Sequence, residues 1–123
     1  MLIDTYAWIE LFQESEEGME VKKVLSEQNN YTSIVSISEI VVWALKNNID
    51  PEKYIDFVRE LSGILEVTDA ISILAGRLNF EIRKNIGDFG MIDSIIYATA
   101  KFYNLQVLTG DKHFQGLDGV IML

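Results

Sequence analysis

The chain has 123 residues, 49% of them apolar, with no cysteine and a formal net charge of −9. This length supports one continuous core without disulfides, so we expect a single domain over residues 1–123. The acidic balance disfavours a generic nucleic-acid-binding surface, because phosphate neutralisation requires a basic face. No apolar run reaches the roughly 20 residues of a membrane helix, and the lack of disulfides favours the cytosol, so we expect a soluble, cytoplasmic protein.

Apolar runs and helical spacings alternate along the chain. The apolar runs predict five strands, at residues 1–4, 31–36, 64–68, 106–111 and 120–123. Apolar residues at helical spacing predict six helices, which begin at or just after Thr5, Gly18, Ser36, Pro51, Asp69 and Gly90. Strands that alternate with helices favour a parallel sheet with helices on both faces. We therefore predict an α/β fold with a mostly parallel sheet of about five strands.

Three helix starts carry specific capping signals. Asp50 precedes Pro51, a pair in which Asp caps free amides and Pro is pre-set for the first helical position. Ser36 and Glu39 have the spacing of a capping box, in which Glu39 reaches back to the backbone amide of Ser36. Asp69 is expected to cap the long fifth helix, and it serves as a reference for an acid with a structural role.

Four acidic residues lie at one predicted edge of the sheet. In a parallel sheet the residues that follow strands 1, 2 and 4 share the carboxyl edge, and Asp4, Glu39 and Asp111 follow these strands. Asp93 lies in the first turn of the helix that leads into strand 4, so it begins at the same edge. Gathered carboxylates repel at about 4 kcal/mol for charges 4 Å apart at an effective dielectric near 20. A hard divalent cation such as Mg²⁺ or Mn²⁺ relieves this repulsion and prefers oxygen ligands.

Each of these acids also has a structural explanation. Asp4 suits a helix cap, and Glu39 suits the capping box. Asp93 complements the positive end of its helix, and Asp111 suits a turn beside Gly110. Because caps need not be carboxylates, the convergence of four acids at one edge indicates a metal site, whereas no single acid does.

Four segments of the chain carry a family resemblance. The segments LIDTYAWIEL, SISEI, MIDSIIYATAK and LTGDKHF, in this order, resemble the acidic motifs of PIN-domain nucleases, especially VapC-type toxins. The resemblance implies a three-layer α/β/α sandwich and a ribonuclease that depends on one or two Mg²⁺ or Mn²⁺ ions. It also implies RNA products with 5′-phosphate and 3′-hydroxyl ends, a protein antitoxin as partner, and a homodimer.

The resemblance also implies a set of catalytic residues. The positions that match the family's acidic quartet and its accompanying hydroxyl residues are Asp4, Glu39, Asp93, Asp111, Thr5 and Thr109. We expect Asp4 and Asp93 to bind metal directly, followed by Asp111, whereas Glu39 is either a ligand or a residue that orients water. Thr109 is expected to hold water or a phosphate oxygen.

The chain departs from the family pattern at one position. Many relatives have a further acid two residues after the position of Asp111, where this chain has His113. A substrate contact, an auxiliary metal ligand and a surface turn residue all fit His113, and we favour the turn because no zinc partner accompanies it. Arg83, Lys84 and Lys112 suit either the steering of RNA or ordinary solvated charge.

The first two helices offer a further surface. Tyr6, Trp8 and Phe12 are aromatic residues that suit base stacking, but their helical spacing favours packing in a core or an interface. The apolar first helix and the amphipathic second helix suit a groove that binds a partner segment.

Two other functions fit part of the pattern. A receiver domain shares the size, the acidity, the α/β alternation and the use of Mg²⁺. It requires a phosphoacceptor Asp after a central third strand and a late Lys followed by Pro, whereas the only proline is Pro51. A catalytically inactive PIN-like module that binds RNA or a partner fits the negative charge and His113.

Overall fold

The computed structural model describes every residue from Met1 to Leu123. The strands are β1 (Leu2–Ile3), β2 (Tyr31–Ser33), β3 (Gly63–Leu65), β4 (Val107–Thr109) and β5 (Val120–Met122). The helices are α1 (Thr5–Phe12), α2 (Glu16–Glu27), α3 (Ile34–Lys46), α4 (Glu52–Leu61), α5 (Asp69–Ile82) and α6 (Met91–Phe102), followed by a 3-10 turn at Lys112–Phe114. None of these helices has the length and apolar character that crossing a bilayer requires.

The five strands form one parallel sheet in the order β3-β2-β1-β4-β5. Successive residues of a strand point to opposite faces of the sheet. Leu2 accordingly belongs to an apolar cluster with α6, whereas Ile3 belongs to a second cluster with α1, α2, α3 and α4. Helices therefore cover both faces, and the predicted three-layer α/β/α sandwich around a parallel sheet is confirmed.

The strand order separates this fold from a receiver domain, whose order is 2-1-3-4-5. Here β3 lies at one edge of the sheet, and β1 lies at the centre between β2 and β4. A phosphoacceptor at the end of a central third strand has no place in this arrangement. The receiver-domain alternative is therefore wrong.

The boundary between β2 and α3 differs from the sequence prediction. The strand ends at Ser33, whose hydroxyl accepts a hydrogen bond from the backbone N–H of Val35 and so caps α3. The helix begins at Ile34, two residues before Ser36, so the predicted capping box of Ser36 and Glu39 is wrong. Both residues lie inside α3, and the carboxylate of Glu39 accepts a hydrogen bond from the hydroxyl of Thr5 in place of the predicted bond to Ser36. The side chain of Glu39 is therefore available for another role.

The start of α5 also differs from the prediction. The hydroxyl of Thr68 accepts the hydrogen bond from the backbone N–H of Ile71, so Thr68 is the cap and Asp69 is the first helical residue. Asp69 is exposed to solvent. The predicted signal at Asp50 is confirmed, because its carboxylate accepts a hydrogen bond from the backbone N–H of Glu52.

Candidate metal centre

Asp4 lies at the junction of β1 and α1, where its side chain is buried. The residue is 3% exposed, and its backbone N–H donates to the carbonyl of Leu108 in β4. Asp4 occupies the N-cap position of α1, but its carboxylate makes no capping hydrogen bond to N2 or N3 of the helix, so capping alone does not explain this acid. The carboxylate instead accepts a hydrogen bond from the hydroxyl of Thr109, at 2.7 Å. Burial raises the pKa of Asp4 to about 7, and the bond from Thr109 offsets part of this effect.

Glu39 projects from α3 toward the start of α1. The hydroxyl of Thr5 lies 2.6 Å from the Oε1 atom of Glu39, to which it donates, and 2.9 Å from the hydroxyl of Ser36. Ser36 and Thr5 are both buried, whereas Glu39 is partly exposed. The contact holds the carboxylate of Glu39 beside the residue that follows Asp4.

Asp93 lies in the first turn of α6 and is partly buried. Burial raises the pKa of Asp93 to about 6, and the negative charges of Asp111 and Glu39 add to this effect. The start of its helix is held by Ser94, whose hydroxyl donates to the carbonyl of Gly90. Asp93 therefore carries a charge that its surroundings disfavour.

Thr109, at the end of β4, makes hydrogen bonds with both Asp4 and Asp111. Its hydroxyl donates to Asp4 and accepts a hydrogen bond from the backbone N–H of Asp111, at 3.0 Å. The residue is fully buried, and its hydroxyl is committed in both directions. This geometry suits the positioning of Asp4 and Asp111 better than the predicted contact with water or a phosphate oxygen.

Asp111 makes two contacts with His113 of the 3-10 turn. Its Oδ1 atom accepts a hydrogen bond from the backbone N–H of His113, at 2.9 Å, so Asp111 caps the turn as its structural explanation requires. The same oxygen lies 2.9 Å from the Nδ1 atom of the His113 ring. The capping role and a position beside the other acids are thus compatible.

We call Asp4, Glu39, Asp93 and Asp111 together the acidic edge. The structure brings Asp93 and Asp111 closest, in a group with His113 whose possible ligand atoms lie within 4.8 Å of one another. Asp4 and Glu39 lie outside this group, but the charges of Glu39 and Asp93 act on Asp4. No lysine or arginine pairs with any of the four acids.

The donor set of the acidic edge fits a hard divalent cation. It consists of carboxylates, two of which, Asp4 and Asp93, have raised pKa values, and none of which pairs with a lysine or arginine. Mg²⁺ and Mn²⁺ prefer such oxygen ligands. A structural zinc site is excluded, because the chain has no cysteine and one histidine.

His113 and Asp88 are polar neighbours of the site whose pairing the sequence did not predict. The Nε2 atom of His113 lies 2.9 Å from Oδ2 of Asp88, in the loop before α6. This hydrogen bond and the negative charge of Asp111 raise the pKa of His113. The signal in the sequence was the placement of Asp88 between two glycines, but its partner lies 25 residues away along the chain.

A sequence model of the PIN domain matches residues 1–120. The chain belongs to the PIN domain family. This result confirms the family resemblance of the four motifs, whose order and spacing the match spans. No curated protein matches the chain by sequence.

Solved structures with the same fold as this PIN domain come from toxin–antitoxin systems. A toxin–antitoxin complex from Klebsiella pneumoniae contains a chain that is 27% identical, with a TM-score of 0.79 over 98% of this chain and 95% of that one. VapBC2 from Rickettsia felis, bound to a promoter DNA fragment, is 14% identical, with a TM-score of 0.76 and coverage of 99% and 96%. DNA-bound VapBC from Salmonella typhimurium is 19% identical, with a TM-score of 0.74 and coverage of 99% and 95%.

A second surface of the PIN domain is an apolar groove of about 930 Å³ between α1, α2 and α4, which we call the α1–α2–α4 groove. Its apolar lining includes Leu11, Phe12, Met19, Leu25, Tyr54, Phe57 and Leu61. The predicted groove beside the first two helices is therefore present, and α4 supplies a wall that the sequence prediction lacked. Lys22 and Lys53 also line it.

The aromatic residues of α1 pack against the protein. Trp8 is fully buried, and its indole N–H donates to the hydroxyl of Thr32. Phe12 packs against Tyr54, with ring centroids 4.4 Å apart. A side chain at Gly110 would collide with the ring of Tyr6, so this glycine is required for the close approach of β4 to α1. Packing, the favoured alternative to base stacking, is confirmed for Trp8 and Phe12.

The three predicted steering cations differ in their surroundings. Lys84 pairs with Glu81 at 3.1 Å, and the Nε atom of Arg83 donates to the carbonyl of Gly87. Lys112 is exposed and forms no ion pair, although it directly follows Asp111 in the chain. Of the three, Lys112 has neither an ion pair nor a side-chain hydrogen bond and is adjacent in sequence to a residue of the acidic edge.

Proposed function

We propose that this PIN domain is a divalent-metal-dependent ribonuclease that hydrolyses RNA phosphodiester bonds and acts in the cytoplasm as the toxin of a toxin–antitoxin pair. The observation that carries the proposal is the acidic edge. Four carboxylates lie at this edge without a lysine or arginine partner, and the pKa values of Asp4 and Asp93 are raised to about 7 and about 6. Carboxylates with raised pKa values at one site are typical of functional sites, and a bound cation would stabilise their charged forms.

The residues of the acidic edge divide into ligands and positioning groups. A bound Mg²⁺ or Mn²⁺ ion supplies water activation and stabilises the charge that develops on the phosphoryl group. Asp93 and Asp111 are the carboxylates placed closest for holding such an ion. Asp4 adds negative charge from the buried side, with its carboxylate oriented by Thr109.

Glu39 and Lys112 flank these ligands. Glu39 is held by the hydroxyl of Thr5 and retains one carboxylate oxygen, Oε2, that can orient water or bind metal. Lys112 is the exposed cation beside Asp111 and suits a contact with a substrate phosphate. No protein nucleophile is required, because water attacks the phosphorus directly.

The choice of RNA as substrate and of a toxin role is supported by family membership and by the fold neighbours. The matched motifs resemble those of VapC-type ribonucleases, and the 27% identical neighbour belongs to a toxin–antitoxin complex. A homodimer is part of the same proposal. It is supported by Ile73 and Phe80, two exposed apolar residues that lie on one face of α5 because they are seven residues apart.

The α1–α2–α4 groove supports an antitoxin as partner. An apolar groove of this kind binds the apolar face of a helical segment, whose anchors recur at helical spacing. Lys22 and Lys53 line the groove of a chain whose net charge is −9. We therefore expect the bound segment to present apolar anchors together with Asp or Glu residues that pair with these lysines.

The proposal is tested by incubating labelled total RNA with the purified protein and Mn²⁺, Mg²⁺ or EDTA. We expect cleavage only with metal, and a loss of at least about a hundredfold in Asp93→Asn, because metal ions contribute several kcal/mol to such reactions. Asp69→Asn is the matched control, since Asp69 also lies in the first turn of a helix.

Two results would contradict the proposal. Equal metal-dependent cleavage by the wild type and Asp93→Asn would remove the acidic edge from the reaction. An absence of cleavage by the wild type with either metal, together with retained binding at the groove, would favour the catalytically inactive binding module instead.

A further inference from the structure

The ring of His113 is held between two carboxylates at the acidic edge. Its Nε2 atom makes a hydrogen bond of 2.9 Å with Oδ2 of Asp88. Its Nδ1 atom lies 2.9 Å from Oδ1 of Asp111. His113 lies in a surface turn, as the sequence favoured, and its ring in addition contacts a carboxylate at each nitrogen.

The two ring nitrogens have different surroundings. The hydrogen bond of the ring is made through Nε2, which fixes the ring orientation against Asp88. His113 forms a group with Asp93 and Asp111 in which one possible ligand atom from each residue lies within 4.8 Å of the others. Nδ1 is the ring nitrogen that the hydrogen bond to Asp88 leaves available for this role. Metal-binding histidines in proteins characteristically bind the ion through one nitrogen and donate the other ring N–H to a carboxylate. His113 and Asp88 have this arrangement.

The distance between Nδ1 and Asp111 also suits shared ligation. Two ligands at right angles on an ion, with bonds of about 2.1 Å, are about 3 Å apart. The observed separation of 2.9 Å between Nδ1 of His113 and Oδ1 of Asp111 has this value. The two atoms are therefore placed as neighbouring ligands, and no rearrangement of the turn at Lys112–Phe114 is required to bring them together.

We propose that His113 is a nitrogen ligand of the metal centre, oriented by Asp88, and that it gives the site a preference for Mn²⁺ over Mg²⁺. This inference rests on the proposed function, because it concerns the same metal site. Mg²⁺ is bound by oxygen ligands almost exclusively, whereas a transition-metal ion accepts an imidazole nitrogen more readily. An acid at position 113 would leave an all-oxygen site that suits both ions.

The decisive experiment is pulsed electron paramagnetic resonance of Mn²⁺ bound to untagged protein. His113 is the only histidine of the chain, so labelling with ¹⁵N-histidine changes one imidazole alone. We expect nitrogen modulation of the Mn²⁺ signal whose frequencies change with the ¹⁵N label. The modulation should be lost in His113→Asp, which restores an oxygen donor, and in His113→Gln, a second variant in case the first does not fold.

Calorimetric titration gives an independent measurement of the preference. The ratio of Mn²⁺ affinity to Mg²⁺ affinity should fall in His113→Asp relative to the wild type. Asp88→Ala should retain the nitrogen modulation but lower the Mn²⁺ affinity by about tenfold, as loss of an orienting carboxylate does at other metal sites. That combination separates a positioning role for Asp88 from ligation.

Failure of the inference is distinguishable from failure of the proposed function. Mn²⁺ binding without nitrogen modulation, and with the same metal preference in His113→Asp, would overturn the role of His113 and leave the metal site intact. An absence of Mn²⁺ and Mg²⁺ binding in both the wild type and His113→Asp would overturn the metal site itself.

Discussion

The acidic edge and the α1–α2–α4 groove lie at opposite ends of the same helix. Asp4 precedes the first turn of α1, whereas Leu11 and Phe12 at its last turn line the groove. The acidic edge places like charges in partly buried surroundings, and the groove exposes apolar side chains to water. Both arrangements are unfavourable in the isolated chain. The proposed partners differ: a cation would relieve the repulsion at the edge, and an apolar segment would cover the groove.

Asp93 and Asp69 provide a second comparison, within the sequence pattern itself. Both lie in the first turn of a helix, where a carboxylate is favoured by the helix dipole. Asp93 is partly buried. Burial raises its pKa to about 6, and the negative charges of Asp111 and Glu39 add to this effect. Asp69 is exposed. A favourable local position is therefore common to both acids, and only the surroundings of Asp93 fit the proposed metal site.

The largest effect is expected from the charge of Asp4, through the pH dependence of stability. Asp4 has a pKa of about 7 in the folded protein and an ordinary value of 3.8 when unfolded. Between these values the folded state holds a proton that the unfolded state has lost, so metal-free stability falls as the pH rises through this window. Asp4→Asn should remove the contribution of Asp4 to this decrease, leave the smaller contribution of Asp93, and exceed the wild type by about 2 to 4 kcal/mol at pH 8.

Urea denaturation in EDTA between pH 4 and pH 8 measures this effect. Asp69→Asn, which removes an exposed acid, should follow the wild-type profile. Parallel profiles for the wild type and Asp4→Asn would show that the buried carboxylate does not set the pH dependence.

The next effect is the stabilisation of the acidic edge by its cation. Mn²⁺ at a hundred times its dissociation constant should increase the free energy of unfolding by about 2.7 kcal/mol. Asp93→Asn should lose most of this increase, whereas Asp69→Asn should retain it. Denaturation with Mn²⁺ and with EDTA provides the comparison, and an equal increase in both variants would place the ion elsewhere.

Thr109 tests how far the acidic edge depends on its buried hydroxyl. Thr109→Val keeps the shape of the side chain but leaves the carboxylate of Asp4 without its donor and the N–H of Asp111 without its acceptor. We expect a loss of about 1 to 3 kcal/mol in the free energy of unfolding. Thr99→Val is the matched control, because Thr99 is equally buried and its hydroxyl bonds only to the helix carbonyl of Ile95. Equal losses in the two variants would remove the special role of Thr109.

The smallest expected effect concerns the groove. Peptides selected from a displayed random library on the wild-type protein should carry apolar anchors beside Asp or Glu residues. Phe57→Asp should weaken their binding by more than about 1 kcal/mol, because Phe57 lines the groove. Phe102→Asp is the control, since Phe102 is 49% exposed and Phe57 is 43% exposed. Peptides that bind both variants equally would show that the groove is not the docking surface.

Much of the fold followed from local patterns in the chain. The alternation of apolar runs and helical spacings predicted the parallel sheet, all five strands and all six helices. The boundary at Ser33 was wrong because the run from Tyr31 to Ser36 has the composition of a strand, whereas Ser33 satisfies the first free amide of α3 and the helix begins there. Capping preferences alone fit both Ser33 and Ser36, and in the folded protein Ser33 is the cap of α3.

The sequence predicted some residues of the candidate site and missed others. The four acids were found from their places after strands and at helix starts, which depend on chain order alone. The pairing of His113 with Asp88 was missed, as was the wall that α4 adds to the groove, because these contacts join segments that are distant in the sequence.

The sequence by itself determined the order of the elements, the carboxylates at their ends and the family motifs, because each depends on spacing along the chain. Only the tertiary structure decided what those acids experience. Burial raises the pKa of Asp4 to about 7. The side-chain hydrogen bond to its carboxylate comes from Thr109, which is 105 residues away in the sequence. Burial, charge repulsion and long-range hydrogen bonds depend on distances in space, and the folded arrangement alone sets those distances.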